Sequence, residues 1–202
     1  GDNPPEFLLT HPITSSRVSD AFNAADQIEF TGGKKNTINF EFIKGRLKAR
    51  YNSLSPQAAV RYFEKLYKDI PTNENKYAYI TALQSNGQTD KALEVMNEIL
   101  VKFSKNLILN ITKSEILLSG QRLSEAQKNI EQVLNISPGN YPASIIKAKI
   151  LTSKKEFIKA EEILRDLLIS KNRNPSLWKQ LSEVQRAGKN IVGYHLSRGE
   201  YY

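Results

Sequence analysis

The residues that most readily suggest chemistry are the two histidines of this 202-residue chain, His11 and His195. His11 precedes Pro12, whereas His195 lies between Tyr194 and Leu196 in a predicted terminal helix, with nothing nearby that resembles a metal ligand. Cysteine is absent, and no HExxH, phosphate-loop, nucleophile-elbow or dinucleotide-binding motif occurs. A catalytic zinc needs three protein ligands. The sequence therefore predicts no self-contained active site and no cofactor in this segment.

Charge offers a second kind of chemistry, because the chain carries a net charge of +8. Its alternating basic stretch consists of Lys44, Arg46, Lys48 and Arg50. Such a cluster could bind nucleic acid. Alternating residues spread around a helix, however, and no nucleic-acid-binding motif accompanies them. We therefore expect a solvated helix here, and a solvent-facing position for Glu161 and Glu162.

A spacing of 34 residues organises most of the chain. Four columns recur at this spacing: Ala58, Ala92, Ala126 and Ala160; Leu66, Leu100, Leu134 and Leu168; Leu83, Leu117 and Leu151; Asn106, Asn140 and Asn174. The period is that of the tetratricopeptide repeat, a helix–turn–helix unit. The junction Pro138-Gly139-Asn140 also resembles the usual boundary between such repeats.

The recurring residue types have physical roles in a helical repeat. Alanine lets two helices approach closely, leucine fills the space between units, and asparagine is a favoured N-cap. We therefore predict an all-α tetratricopeptide repeat solenoid, in which antiparallel helix pairs stack into a right-handed superhelix. An irregular helical bundle with accidental spacing is the alternative. Where the repeat family prefers a small residue, this chain has Arg46, Ile80, Ser114 and Ala148. We therefore expect wider packing between helices than usual.

The repeat defines the predicted domains. Residues 1–32 lie outside it, and residues 33–202 form the repeat domain. The predicted units are about 37–72, 73–106, 107–140, 141–174 and 175–202, the last one truncated. Turns inside the later units are predicted at Asn86-Gly87, Ser119-Gly120, Ser153-Lys154 and Gly188-Lys189-Asn190. Solenoids normally close with a polar capping helix, so we expect the native chain to continue beyond Tyr202.

The segment around His11 resembles a second family. The stretch from Phe7 to Pro12, followed by Arg17, is similar to the His-Pro…Arg motif downstream of HExxH in zinc metallopeptidases of the HtpX and BepA type. Followed by helical repeats, it most resembles the β-barrel assembly-enhancing proteases of Gram-negative bacteria. Residues 1–32 then correspond to the tail of the peptidase domain, and the remainder to its repeat domain.

This second resemblance implies a role for the His11 segment. In the family, zinc is held by the two histidines of HExxH and a downstream glutamate, so zinc is expected only in a longer parent enzyme. His11 would lie on a loop beside the open zinc position, with Pro12 and Arg17 near the active site. As a regulatory ligand, His11 could displace the zinc-bound water. Alternatively, His11 and Arg17 could donate hydrogen bonds to the oxyanion, or His11 could have no role.

The resemblance also implies a function and a location. The repeat domain would dock substrates and partners of a periplasmic zinc metalloprotease involved in outer-membrane protein assembly and quality control. Expected partners are proteins or peptides, namely the assembly machinery and unfolded outer-membrane substrates, and not nucleic acid. Stacked repeats present a concave surface lined by the first helix of each pair. The repeat spacing places on this surface Tyr77, Thr81, Gln84, Ile111, Glu115, Ile145 and Lys149.

Two functions from other classes remain open. One is a free-standing tetratricopeptide repeat adaptor or co-chaperone, and the other is a basic helical repeat that binds nucleic acid. Binding that weakens steeply with salt would favour the latter. No membrane-spanning segment is predicted, because no apolar run approaches the ~20 residues that a spanning helix requires.

Overall fold

The computed structural model of the chain describes residues 37–170 and 174–202. Residues Ile38–Tyr202 form one unit, which contains ten described helices and no described strand. The helices are α1 (Ile38–Arg50), α2 (Pro56–Asp69), α3 (Asn73–Ser85), α4 (Thr89–Lys102), α5 (Leu107–Ser119), α6 (Leu123–Ile136), α7 (Tyr141–Ser153), α8 (Phe157–Ser170), α9 (Pro175–Ala187) and α10 (Ile191–Tyr201). Among these ten helices, none combines the length and the apolar composition of a membrane-spanning segment.

The first helix of each later pair begins after a side-chain cap. The Oδ1 atoms of Asn106 and Asn140 accept hydrogen bonds from backbone N–H groups three residues on, at 3.1 and 3.2 Å. Asn174 accepts at 3.0 Å from Ser176, and Thr72 caps α3 at the equivalent position. Each cap satisfies an otherwise unpaired helix N–H and is worth ~1 kcal/mol. The predicted role of the asparagine column is confirmed.

The turns inside the pairs repeat at the same spacing. Each contains one residue with positive φ: Gly87, Gln121, Lys155 and Lys189, at 71°, 59°, 62° and 61°. Positive φ is unfavourable for residues other than glycine, because their Cβ atom crowds the backbone. The nearby Gly120 has an ordinary φ of −82°. Glycine is needed there for space, because a Cβ atom would meet the Thr89 side chain at 2.3 Å.

Hydrophobic residues from successive helices form the core. Ala92, Ala126 and Ala160 are fully buried. The leucines of the 83, 117 and 151 column are also buried, whereas Leu134 is only partly buried against the cluster. The small alanines let consecutive helices approach closely, and the larger leucines fill the space between them. The prediction of an all-α fold is confirmed.

Candidate functional site

The predicted concave surface divides into a covered part and an open part. On α3 and α5, Tyr77 is fully buried, and Thr81 and Ile111 are 2% and 8% exposed. Glu115 is half-buried, and so are Gln84 and Ile145 farther along the groove. Of the seven residues predicted there, Lys149 on α7 is the exposed one. A partner could not reach Tyr77 or Thr81 without a rearrangement.

Helix α1 covers the first part of this surface. It packs mainly against α3 and makes few contacts with α2, its neighbour in sequence. Phe42 is fully buried, and its ring centroid lies 5.4 Å from that of Tyr77 and 5.7 Å from that of Phe103. Gly45 allows the close approach, because a Cβ atom there would lie 2.3 Å from the carbonyl oxygen of Glu74.

A polar network fixes α1 across the groove. Arg46 donates from Nη2 to both carboxylate oxygens of Glu115, at 2.8 and 2.7 Å, and from Nη1 to Thr112 Oγ1 at 3.2 Å. Thr112 shares a 2.5 Å hydrogen bond with the Tyr77 hydroxyl. Burial lowers the pKa of Arg46, but the bonds and charge of Glu115 outweigh it and the net shift is upward. Burial raises the pKa of Tyr77, so the phenol stays protonated near neutral pH.

Three of the four basic side chains of α1 pair with two carboxylates, which offset half of the combined charge of the four. Lys44 lies 3.1 Å from Glu74, and Lys48 contacts the same carboxylate. The prediction of a solvated helix is wrong for Arg46, whose side chain is only 24% exposed in its ion pair with Glu115. The alternating pattern did not reveal this, because the acceptor lies 69 residues away.

The open part of the groove contains a cavity of about 430 Å³ between α5, α7 and α9. Its apolar lining comes from Leu118, Ala148, Leu164 and Val184, and its polar lining from Ser119, Gln121, Lys149, Thr152, Ser153, Gln180 and Glu183. The four apolar residues could bury a hydrophobic side chain, and the seven polar residues could form hydrogen bonds with the backbone that flanks it. The cavity is therefore the candidate binding site.

The repeat spacing contained a signal for these residues. Lys149 continues a column from Thr81 and Glu115, and the next member is Glu183. Leu118 and Thr152 likewise continue the column that starts at Gln84. Extending these columns adds Leu118, Thr152 and Glu183 to the predicted Lys149, but the other lining residues of the cavity do not belong to them.

Glu161 also departs from its expected place on the solvent-facing side. It is partly buried, and its carboxylate accepts hydrogen bonds from Gln185 Nε2 at 3.1 Å and from Asn190 Nδ2 at 3.3 Å. It therefore joins α8 to α9, through Gln185, and to the N-cap residue of α10, Asn190. The neighbouring Glu162 is exposed, as predicted.

The described residues contain no group of three His, Cys, Asp or Glu side chains that could hold a metal ion. His11, Pro12 and Arg17 lie outside these residues, as does the predicted peptidase tail, residues 1–32. Their proposed roles near zinc therefore remain predictions. His195 lies on α10 and is exposed, with its ring 5.0 Å from that of Tyr194.

Comparison with curated proteins finds relatives that are named β-barrel assembly-enhancing protease. The chain is 23% identical over 201 residues to the β-barrel assembly-enhancing protease of Escherichia coli K12, covering 98% of this chain and 41% of that protein. It is 28% identical over 165 residues to the protein of the same name from Yersinia pestis, covering 71% of this chain and 33% of the relative. The chain thus spans well under half the length of these relatives. No protein-family model matches.

Solved structures support the repeat fold. A tetratricopeptide repeat protein from Thermus thermophilus superimposes with a TM-score of 0.64 at 18% identity, covering 82% of this chain and 90% of that one. Identity at this level establishes the fold alone. The prediction of a tetratricopeptide repeat solenoid is confirmed, and so is the similarity to β-barrel assembly-enhancing proteases.

Proposed function

We propose that this chain is the docking domain of a zinc metalloprotease and binds unfolded protein segments through the cavity between α5, α7 and α9. The parent enzyme would act in the periplasm on outer-membrane proteins and their assembly machinery. The zinc would belong to the longer protein, since this chain has no HExxH motif. Similarity over nearly the whole chain to β-barrel assembly-enhancing proteases supports this assignment.

The observation that carries the proposal is the division of the groove. Helix α1 fills the part over α3, whereas the cavity over α7 stays open and has walls from three successive units. Its mixed lining offers burial to an apolar side chain and hydrogen bonds to an extended backbone. Unfolded outer-membrane proteins expose both kinds of group. Unfolded outer-membrane proteins therefore fit the cavity better than a folded protein with a polar surface.

The basic stretch of α1 gives little support to nucleic-acid binding. Lys44 and Lys48 face Glu74, and Arg46 faces Glu115. These pairings reduce the positive charge available to phosphates, which supply most of the affinity of such proteins. A free-standing adaptor would use the same cavity. The two hypotheses, free-standing adaptor and docking domain, differ in whether a peptidase domain precedes the repeats in the native protein.

The test is a binding assay with the purified 202-residue chain. A fluorescently labelled outer-membrane β-barrel protein, diluted from urea, is titrated with the chain and followed by anisotropy. Thr152 is partly buried on the cavity wall, so Thr152→Trp would fill the space. We expect a loss of affinity of ~10-fold or more, the size typical of a central contact.

The matched control is Gln132→Trp, which adds the same ring at an exposed position on α6 outside the cavity. This variant should bind as the parent does. Unfolding curves of both variants establish that they are folded. Equal weakening by the two substitutions, or unchanged binding by Thr152→Trp, would contradict the proposed site.

A further inference from the structure

The covered part of the groove already holds an arginine. Arg46 belongs to α1, the helix packed on α3, and it reaches two residues of α5. Its guanidinium donates to both carboxylate oxygens of Glu115, at 2.8 and 2.7 Å, and to Thr112 Oγ1 at 3.2 Å. Thr112 and Glu115 are three residues apart, so they are neighbours on one face of α5. Together they form an acceptor pair that fits a guanidinium.

Helix α9 carries an acceptor pair of the same kind. It begins and ends two repeat units after α5, and at that spacing from Thr112 and Glu115 it has Gln180 and Glu183. Both side chains line the open cavity. Gln180 donates from Nε2 to the carbonyl oxygen of Ser176 at 3.2 Å, which leaves its Oε1 atom as the acceptor. An amide oxygen and a carboxylate thus border the cavity on α9.

The equivalent positions of α3 and α7 do not form such a pair. They are Ala78 and Thr81 in α3, and Ile146 and Lys149 in α7, and neither set contains a carboxylate. An isoleucine side chain cannot accept a hydrogen bond, and a lysine ammonium group only donates. The α9 side of the cavity therefore repeats the arrangement that holds Arg46, whereas the α7 side does not.

The chain does not supply an arginine to the α9 pair from the position that corresponds to Arg46. Two repeat units after Arg46 stands Ser114 of α5. Ser114 is buried, and its hydroxyl donates to the carbonyl oxygen of Asn110 at 3.3 Å and accepts from Asn129 Nδ2 at 2.8 Å. Its side chain is too short to cross α7 and reach α9. The lack of an internal arginine at this position is thus a property of α5, a helix in the middle of the chain.

We infer that the cavity selects unfolded segments in which an arginine lies close to an apolar side chain. The guanidinium would donate to both carboxylate oxygens of Glu183 and to Gln180 Oε1, in the way that Arg46 binds the α5 pair. The apolar side chain would lie against the apolar lining of the cavity. Arginine fits better than lysine, because its planar donors match both oxygens of a carboxylate. This inference rests on the proposed function and adds the residues that determine which segments bind.

The test asks whether the effect of Glu183 depends on the charge of the bound segment. Labelled peptides of leucine, serine and glycine contain one phenylalanine and, four positions later as for Phe42 and Arg46, an arginine, lysine, glutamine or glutamate. Each is titrated with the 202-residue chain. We expect the arginine peptide to bind ~10-fold more tightly than the glutamine peptide, the size of a hydrogen bond between charged groups, with the lysine peptide between them. In Glu183→Gln this preference should largely disappear, because the carboxylate that distinguishes the peptides is gone.

The matched control is Glu94→Gln, because Glu94 is an exposed glutamate on α4 outside the cavity. It should keep the preference of the parent for the arginine peptide. Glu183 is also exposed, so its replacement by glutamine should leave the chain folded. Equal binding of the arginine and glutamine peptides to the parent would overturn the inference. So would tighter binding of the glutamate peptide, or a preference that Glu183→Gln leaves unchanged.

The Thr152→Trp variant separates this inference from the proposed function. It should weaken binding of all four peptides, because it fills the cavity itself. If it does so while the parent shows no preference for arginine, the cavity binds segments as proposed and only its selectivity is refuted. If Thr152→Trp leaves the binding of every peptide unchanged, the cavity is not the binding site and both proposals fall.

Discussion

Replacing Gly45 by alanine tests the placement of α1 on the groove. A Cβ atom at this position would lie 2.3 Å from the carbonyl oxygen of Glu74 and 3.2 Å from the amide nitrogen of Ala78. Both atoms belong to the backbone of α3 and cannot rotate away as a flexible side chain could. The added methyl group must therefore push α1 away from α3.

Two opposing effects set the magnitude. Alanine is favoured over glycine in a helix by ~1 kcal/mol. Overpacking a close contact costs ~1–3 kcal/mol, and displacement of α1 also strains the charged hydrogen bonds between Arg46 and Glu115, each worth ~1.5–3 kcal/mol. Overpacking less the propensity gain leaves ~0–2 kcal/mol, and partial strain of the charged bonds adds ~1 kcal/mol, so we expect Gly45→Ala to lower the free energy of unfolding by about 1–3 kcal/mol.

The assay is urea unfolding followed by circular dichroism, with Gly199→Ala as the control. Gly199 lies in α10, and a Cβ atom there would meet nothing within 4 Å. Helix propensity should therefore act alone at this position and stabilise the protein by up to ~1 kcal/mol, less if the end of the helix frays. If Gly45→Ala stabilised the protein as Gly199→Ala does, α1 could not lie against α3 as described.

Three further predictions concern acid stability, the core and the His11 segment. Burial raises the pKa of Glu74, but hydrogen bonds from Lys48 and Lys44 outweigh this effect and hold the pKa below 4.5. The ionised Glu74 therefore stabilises the folded state, fully at pH values above 4.5. This contribution is lost as the pH falls through the lowered pKa. Glu74→Gln should therefore flatten the fall in melting temperature between pH ~5 and ~3, and an unchanged profile would argue against these pairs. Ala126 is fully buried, so Ala126→Leu should cost ~1–3 kcal/mol by overpacking, and an unchanged urea midpoint would show that the alanine column does not mark close helix contacts. His11→Ala is tested in a longer protein that contains the zinc site, by the rate at which it cleaves an unfolded substrate at equal zinc occupancy. The rate should rise if His11 fills the open zinc position, or fall ~10²–10³-fold if His11 stabilises the oxyanion. Equal rates would leave His11 without a catalytic role.

The sequence predicted the regular part of the fold because its determinants are local and periodic. Asn106 and Asn140 cap helices through N–H groups three residues away, so the residue type and its position suffice. Ala126 repeats at the 34-residue spacing, and its burial follows from packing neighbouring units in the same way. Such contacts recur from unit to unit, so the same residue type appears at the same repeat position several times within one sequence.

The covered part of the groove could not be predicted in this way. The contact of Arg46 with Glu115 occurs once in the chain and joins residues 69 positions apart. Arg46 stands where the repeat family prefers a small residue, which indicated an irregularity but not its partner. For the same reason Tyr77 fitted the expected concave surface by spacing, although α1 buries it completely. Helix α1 packs outside the repeating pattern. Its long-range contacts are made once, so they leave no periodic pattern of residues from which they could be predicted.

The two arginines that interrupt the repeat illustrate how such departures can be interpreted. Arg46 replaces a small residue and is satisfied within the chain by Glu115, so its consequence is structural. Arg198 replaces a residue that is hydrophobic in α6 and α8, yet among the described residues only tyrosine hydroxyls accept its hydrogen bonds. Tyrosines orient a guanidinium but do not neutralise it. In α10 the buried residues are Gly193 and Ser197, each one position before Tyr194 and Arg198, and Arg198 itself is exposed. The helix therefore packs through a face shifted by one residue from the repeat spacing, so the spacing alone does not predict where this arginine lies.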